Sequence, residues 1–117
     1  MGLVKLEELP ELKISEGIIG RAVTARTMTV MHVVIEAGAL VPEHSHYHEQ
    51  VVNVIEGELE LVVEGEKHNL VPGKVMVLAP NVMHSGRAVT ACRVVDVFHP
   101  VRDDFAGASF GGYPGKE

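Results

Sequence analysis

Apolar residues recur at alternate positions in four stretches of the chain: TVMHVVIEAG (29–38), QVVNVIEGELELVVEGE (50–66), HNLVPGKVMVLAP (68–80) and VTACRVVDVF (89–98). A period of two sends successive side chains to opposite faces of an extended backbone, and valine, the commonest apolar residue here, suits a pleated surface. These stretches predict β-strands. Turn signals separate them at short intervals: Ala37-Gly38, Glu56-Gly57, Glu64-Gly65, Pro72-Gly73, Pro80-Asn81 and Ser85-Gly86. Many short strands with this punctuation predict an all-β, antiparallel sandwich or barrel. No internal repeat, low-complexity segment or linker interrupts it. The 117 residues are read as one domain, with 1–20 as an N-terminal arm or edge strand, 21–100 as the barrel and 101–117 as a glycine-rich C-terminal tail.

Composition narrows the function classes. The net charge of −6, without a basic stripe, argues against a partner nucleic acid, although scattered arginines could converge on a small anion. No apolar run is long enough for a signal h-region or a membrane span, so no membrane contact and a cytoplasmic location are expected. Cys92 is the single cysteine, which excludes an internal disulfide and a cysteine zinc cluster. A metal would have to be held by His, Gln, Asp or Glu.

One segment offers those groups together. In PEHSHYHEQ (42–50), His44, His46, His48 and Gln50 share one parity on an extended chain, and Ser45, Tyr47 and Glu49 share the other. His84 lies in APNVMHSG, where a hairpin can bring it back over the cluster. Histidines from two separate strands suit a divalent transition metal, Ni, Zn, Fe or Mn, without choosing among them. His32, His68 and His99 have no clustered partners. In the last strand, Cys92, Val94, Asp96 and Phe98 share a face, and an acid among apolar residues is costly to bury unless paired or used. The opposite register would turn Arg93, Val95 and Val97 inward. Arg102 is long enough to reach a cavity mouth and clamp a carboxylate, or to pair with Asp103 or Asp104 at the surface.

These residues resemble the cupin motifs. Gly38, His44, His46 and Gly57 fall on the first motif's positions, with Gln50 in place of its acid; Gly73 and His84 fall on the second. In that second motif Ala79 replaces a proline, Asn81 a glycine and Ala88 an asparagine, which spares the histidine. The resemblance spans about Gly38 to Phe98. It implies a double-stranded β-helix, a jelly-roll barrel, with His44, His46, Gln50 and His84 around a metal; His48, in the motif's spacer, is the alternative to Gln50. An amide in place of a carboxylate leaves the site about one charge unit more positive, which favours an anionic ligand, and withdraws one candidate base.

The string DVFHPVRDDF is similar to the end of the small single-domain cupins of pectin and alginate breakdown, which linearise 4,5-unsaturated uronates. That resemblance implies that Asp96, Phe98 and Arg102 line the site, that the substrate is a small acidic molecule, and that the enzyme is of isomerase or lyase type. A cupin dioxygenase using Fe(II), and a non-catalytic ligand- or metal-binding cupin, are the alternatives. A homodimer is expected, because exposed sheet edges and N-terminal arms are where such chains pair.

Overall fold

The computed structural model describes residues 2–106. Ten strands form two antiparallel sheets. The larger has the order β1 (Leu12–Ser15), β2 (Ile18–Thr24), β3 (Thr29–Ile35), β10 (Cys92–His99), β5 (Glu49–Glu56) and β8 (Val75–Leu78). The smaller has the order β4 (Leu40–His44), β9 (His84–Ala88), β6 (Leu59–Val63) and β7 (Glu66–Leu70). A 3-10 turn at Leu6–Glu8 precedes β1, and a single helical turn, α1 (Asp103–Ala106), follows β10. This is the all-β antiparallel architecture that the alternation predicts, with the two sheets of the barrel that the resemblance implies.

The alternation is visible in what each face buries. In β3, Thr29, Met31, Val33 and Ile35 point inward; in β5, Gln50, Val52 and Val54; in β10, Cys92, Val94 and Phe98. Leu59, Leu61 and Leu70 close the core from the smaller sheet. Each fully buried aliphatic side chain of this kind contributes roughly 1.5–3 kcal/mol relative to exposure.

Two expectations are revised. Ser85-Gly86 is not a turn: both residues lie inside β9, and the reversal occurs earlier, at Pro80-Asn81, where Asn81 adopts φ 69°. Gly86 is there for closeness, since a Cβ on it would sit 3.3 Å from the Glu60 carbonyl oxygen of the neighbouring strand. Of the arm or edge strand expected over 1–20, the structure has the edge strand, β1, and what changes is the boundary: β2 starts at Ile18, ahead of the expected 21–100 barrel. Of the expected tail, residues 107–117 lie outside the described residues.

Gly57 turns β5 into β6 with φ 89°, a conformation unfavourable for a side chain, and a Cβ there would run into the Ala91 carbonyl oxygen. Gly57→Ala is therefore expected to destabilise the fold by more than about 1 kcal/mol, read as a lower urea midpoint with an unchanged slope.

Candidate metal centre

The site begins with a register. β4 and β9 pair so that His44 stands directly opposite His84. A register irregularity between Val41 and His44 then releases the chain toward β5, which belongs to the other sheet. The residues 45–48 cross from one sheet to the other, so strict strand alternation stops there. His46 still turns inward, while His48 is carried to the cavity mouth and stacks on Tyr47, with ring centroids 4.1 Å apart. The Asn81 amide donates to the His46 carbonyl oxygen over 2.8 Å, pinning the His84 hairpin to the first histidine segment. Asparagine tolerates the left-handed conformation this needs, so losing the motif's glycine costs little.

The metal-binding atoms of His44, His46 and His84 all lie within 4.8 Å of one another. Each ring is oriented by its backbone: Nδ1 of His44 donates to the Pro42 carbonyl (2.7 Å), that of His46 to the His48 carbonyl (3.1 Å) and that of His84 to the Val82 carbonyl (3.0 Å). A carbonyl only accepts, so the proton of each neutral ring is fixed on Nδ1 and the Nε2 lone pair is left for the cavity. Burial lowers the pKa of His44 and His46 to about 4, and lowers that of His84, so the rings are neutral at pH 7.

Gln50 completes the arrangement. Its Oε1 lies 3.1 Å from His46 Nε2. With the His46 proton on Nδ1, this contact sets two lone pairs face to face, an arrangement that a cation between them makes favourable. Two ligands at right angles about 2.1 Å from a metal are separated by about 3.0 Å. The chain's own donor set thus fits a metal, and imidazole donors suit Zn, Ni, Fe or Mn alike.

Asp96 lies on the inner face of β10, paired in register with Met31 and Val52, and lines the same cavity. Gln50 hydrogen-bonds to its carboxyl, yet Oδ1 is shielded from solvent and has no hydrogen-bond partner among the described residues. Burial pushes its pKa up to about 7, against the opposing pull of the Gln50 hydrogen bond and the Arg102 charge. Phe98, opposite Gln50 in the β5–β10 register, packs edge-on against His46 with centroids 5.8 Å apart.

Arg102 is placed in a way neither sequence alternative describes fully. It does pair with Asp104, through Nε to Oδ1 (3.0 Å) and Nη2 to Oδ2 (2.8 Å), but not at the surface, since it is only 3% exposed. Its guanidinium stands 4.7 Å over the Phe98 ring, and its backbone N–H donates to the buried Thr29 hydroxyl at 2.9 Å. It lines both the inner cavity and the recess at its mouth. Thr29 escaped the sequence reading because a threonine at a strand start signals only β propensity. The spacing of Arg102 and Asp104 was the one available signal for the bidentate pair.

Comparison with known proteins agrees with this geometry. Residues 31–98 match the cupin domain family. This chain is a cupin. It is 31% identical over 102 residues to the pectin degradation protein KdgF of Dickeya dadantii, covering 85% of this chain and 93% of that protein. Among solved structures it is similar to KdgF from Halomonas sp., at 31% identity and TM-score 0.78, covering 84% of this cupin and 92% of that chain. An RmlC-like cupin from Shewanella frigidimarina superposes with TM-score 0.83 at 26% identity, covering 90% and 96%.

If the three histidines form the metal centre, the purified cupin carries about one transition metal per chain by elemental analysis. His44→Ala together with His84→Ala should abolish it. Chelation of the unmutated protein should lower its melting temperature, because a ligand at 100 times its Kd adds about 2.7 kcal/mol to stability.

Proposed function

We propose that this cupin is a metal-dependent enzyme that opens the ring of a 4,5-unsaturated uronate or a closely related acidic sugar. The observation that carries the reading is the convergence in one cavity of three inward imidazole nitrogens, the Gln50 amide oxygen, an unsatisfied carboxyl oxygen on Asp96 and the buried Arg102. The similarity to the pectin degradation protein KdgF of Dickeya dadantii, and to the solved KdgF of Halomonas sp., supports it.

The inner cavity holds only about 50 Å³, whereas ligand pockets usually offer 300–1,000 Å³. It can take the reacting edge of a sugar and no more. The rest of the ring would lie in the mouth recess, about 390 Å³, beside Tyr47, His48 and Asp103. Arg102 stands between the two spaces with its Nε and Nη2 held by Asp104, where its positive charge could orient the substrate carboxylate.

His44, His46, Gln50 and His84 would hold the metal, which supplies a positive charge for the enolate oxygen that develops on ring opening. Asp96 takes the proton of the anomeric hydroxyl. The bond from the anomeric carbon to the ring oxygen breaks, leaving an aldehyde and an enolate next to the carboxylate. A proton returned to the distal alkene carbon completes a keto acid isomeric with the substrate, so no oxidant or co-reactant is consumed. Because its bound amide is neutral, Gln50 cannot do this proton work, and Asp96 is the carboxyl nearest to it.

The test is decay of the ultraviolet band of the substrate's double bond in the presence of metal-loaded protein. Asp96→Asn should keep its metal and lose about 10²–10⁴ in kcat. Retained turnover would remove Asp96 from the mechanism, and turnover that consumes oxygen would overturn the ring-opening reading. Arg102→Lys keeps the charge but loses the guanidinium that the Asp104 pair and the Phe98 ring hold in place at the cavity, so KM for the uronate should rise roughly tenfold while metal content stays constant.

A further inference from the structure

The recess at the cavity mouth carries side chains that neither the metal nor the proton transfer uses. Tyr47 is 59% exposed and lies in the segment that crosses between the sheets, yet its ring has a fixed seat. It stacks on His48 with ring planes 29° from parallel. His48 in turn is buried, with its ring edge-on to His46 at 5.6 Å and to Phe98 at 6.4 Å between centroids. Beyond the Val101 carbonyl, its ring nitrogens meet no hydrogen-bond partner among the described residues. A buried imidazole with so few polar contacts acts through its faces and edges. It supports Tyr47 and ties the position of that ring to the residues that line the metal centre. An aromatic ring held in place at a cavity mouth suits a pyranose, which presents C–H groups on its faces and hydroxyls around its edge.

Asp103 supplies the polar counterpart. Its neighbour Asp104 is committed to Arg102 by the bidentate pair, whereas the Asp103 carboxylate makes no hydrogen bond or ion pair among the described residues. It lines the same recess as Tyr47 and His48. A carboxylate only accepts, and its two oxygens can take hydrogen bonds from neighbouring sugar hydroxyls. It also repels a second carboxylate, so the acid end of a uronate is directed inward to Arg102 and the hydroxyl edge stays at the mouth.

The chemistry of the substrate class says what that edge carries. A 4,5-double bond erases the configuration at C4 and C5, and ring opening removes that at C1. Unsaturated uronates from different parent sugars therefore differ at C2 and C3 alone, on the side of the ring away from the reacting edge. Resting on the ring-opening reading, we infer that Tyr47 and Asp103 form a subsite that reads the configuration at C2. With Tyr47 against one face of the sugar and Asp103 at its edge, one configuration turns the C2 hydrogen to the aromatic ring and the hydroxyl to the carboxylate. Its epimer sets the hydroxyl on the aromatic face and leaves Asp103 short of a hydrogen bond. Losing a hydrogen bond to a charged group in this way lowers kcat/KM by roughly 10- to 100-fold.

The experiment compares two substrates on the full-length, metal-loaded protein. They are the unsaturated monouronates released by exhaustive lyase digestion of polygalacturonate and of polymannuronate, which differ only at C2. The kcat/KM values should differ by about tenfold or more. Tyr47→Ala and Asp103→Ala should each bring the ratio below about threefold with metal content unchanged, and Tyr47→Phe, which keeps the aromatic face, should restore it. Both side chains are exposed, so the variants probe the subsite without removing core contacts. Equal efficiency towards the two epimers overturns the subsite and leaves ring opening standing. So does a preference that either alanine variant leaves unchanged. Turnover of neither epimer overturns ring opening itself, and the subsite with it.

Discussion

Three hydrogen bonds from imidazole Nδ1 to backbone carbonyls govern the centre of this protein. They turn three side chains that could donate or accept in either direction into three acceptors pointing at one place. The carbonyls belong to Pro42, His48 and Val82, residues whose positions are set by the β4–β9 register and by the amide of Asn81 holding the two segments together. Strand pairing therefore dictates the tautomers. Inward lone pairs in a largely apolar cavity, with the Gln50 oxygen facing one of them, form an arrangement held in place by the surrounding ladders. The same arrangement is favourable as soon as a cation enters.

The cavity also has to accommodate charge at its rim. Arg102 is almost fully buried, and an unpaired guanidinium at that depth would cost several kcal/mol. Its cost is offset by the bidentate carboxylate of Asp104, the face of Phe98 and the tethering of its backbone to Thr29. Because Phe98 also packs against His46, the arginine, the aromatic ring and a metal-facing imidazole form one continuous stack from the mouth inward. A substituent that moves one of them moves the others.

The strand alternation made the inner face legible residue by residue. Cys92, Val94, Asp96 and Phe98 lie on one face because a two-residue period has only one register that keeps Arg93 out. The histidines were legible for a different reason, a density of imidazoles that a surface loop rarely carries. Local pattern failed where three-dimensional proximity took over. Ser85-Gly86 reads as a turn by composition, yet Gly86 serves to let β9 approach β6. His48 shares the parity of the inward histidines, but parity has no meaning in a segment that passes between sheets. The depth of Arg102 could not be read at all, since it depends on Thr29, distant in sequence.

The outer face and the inner site are carried by the same two strands. β5 presents Gln50 inward and Val51 outward; β10 presents Asp96 and Phe98 inward and Val95 and Val97 outward. Neighbouring residues of one strand cannot move independently, because a ladder displaced on one face is displaced on the other. On the smaller sheet, Glu60 is ion-paired with Lys67 and Arg87 on the outside, and His44 and His84 on the inside are held by the Pro42 and Val82 carbonyls. The imidazoles of the centre are thus held by their own backbone carbonyls, and Gln50, Asp96 and Phe98 by the ladder between β5 and β10.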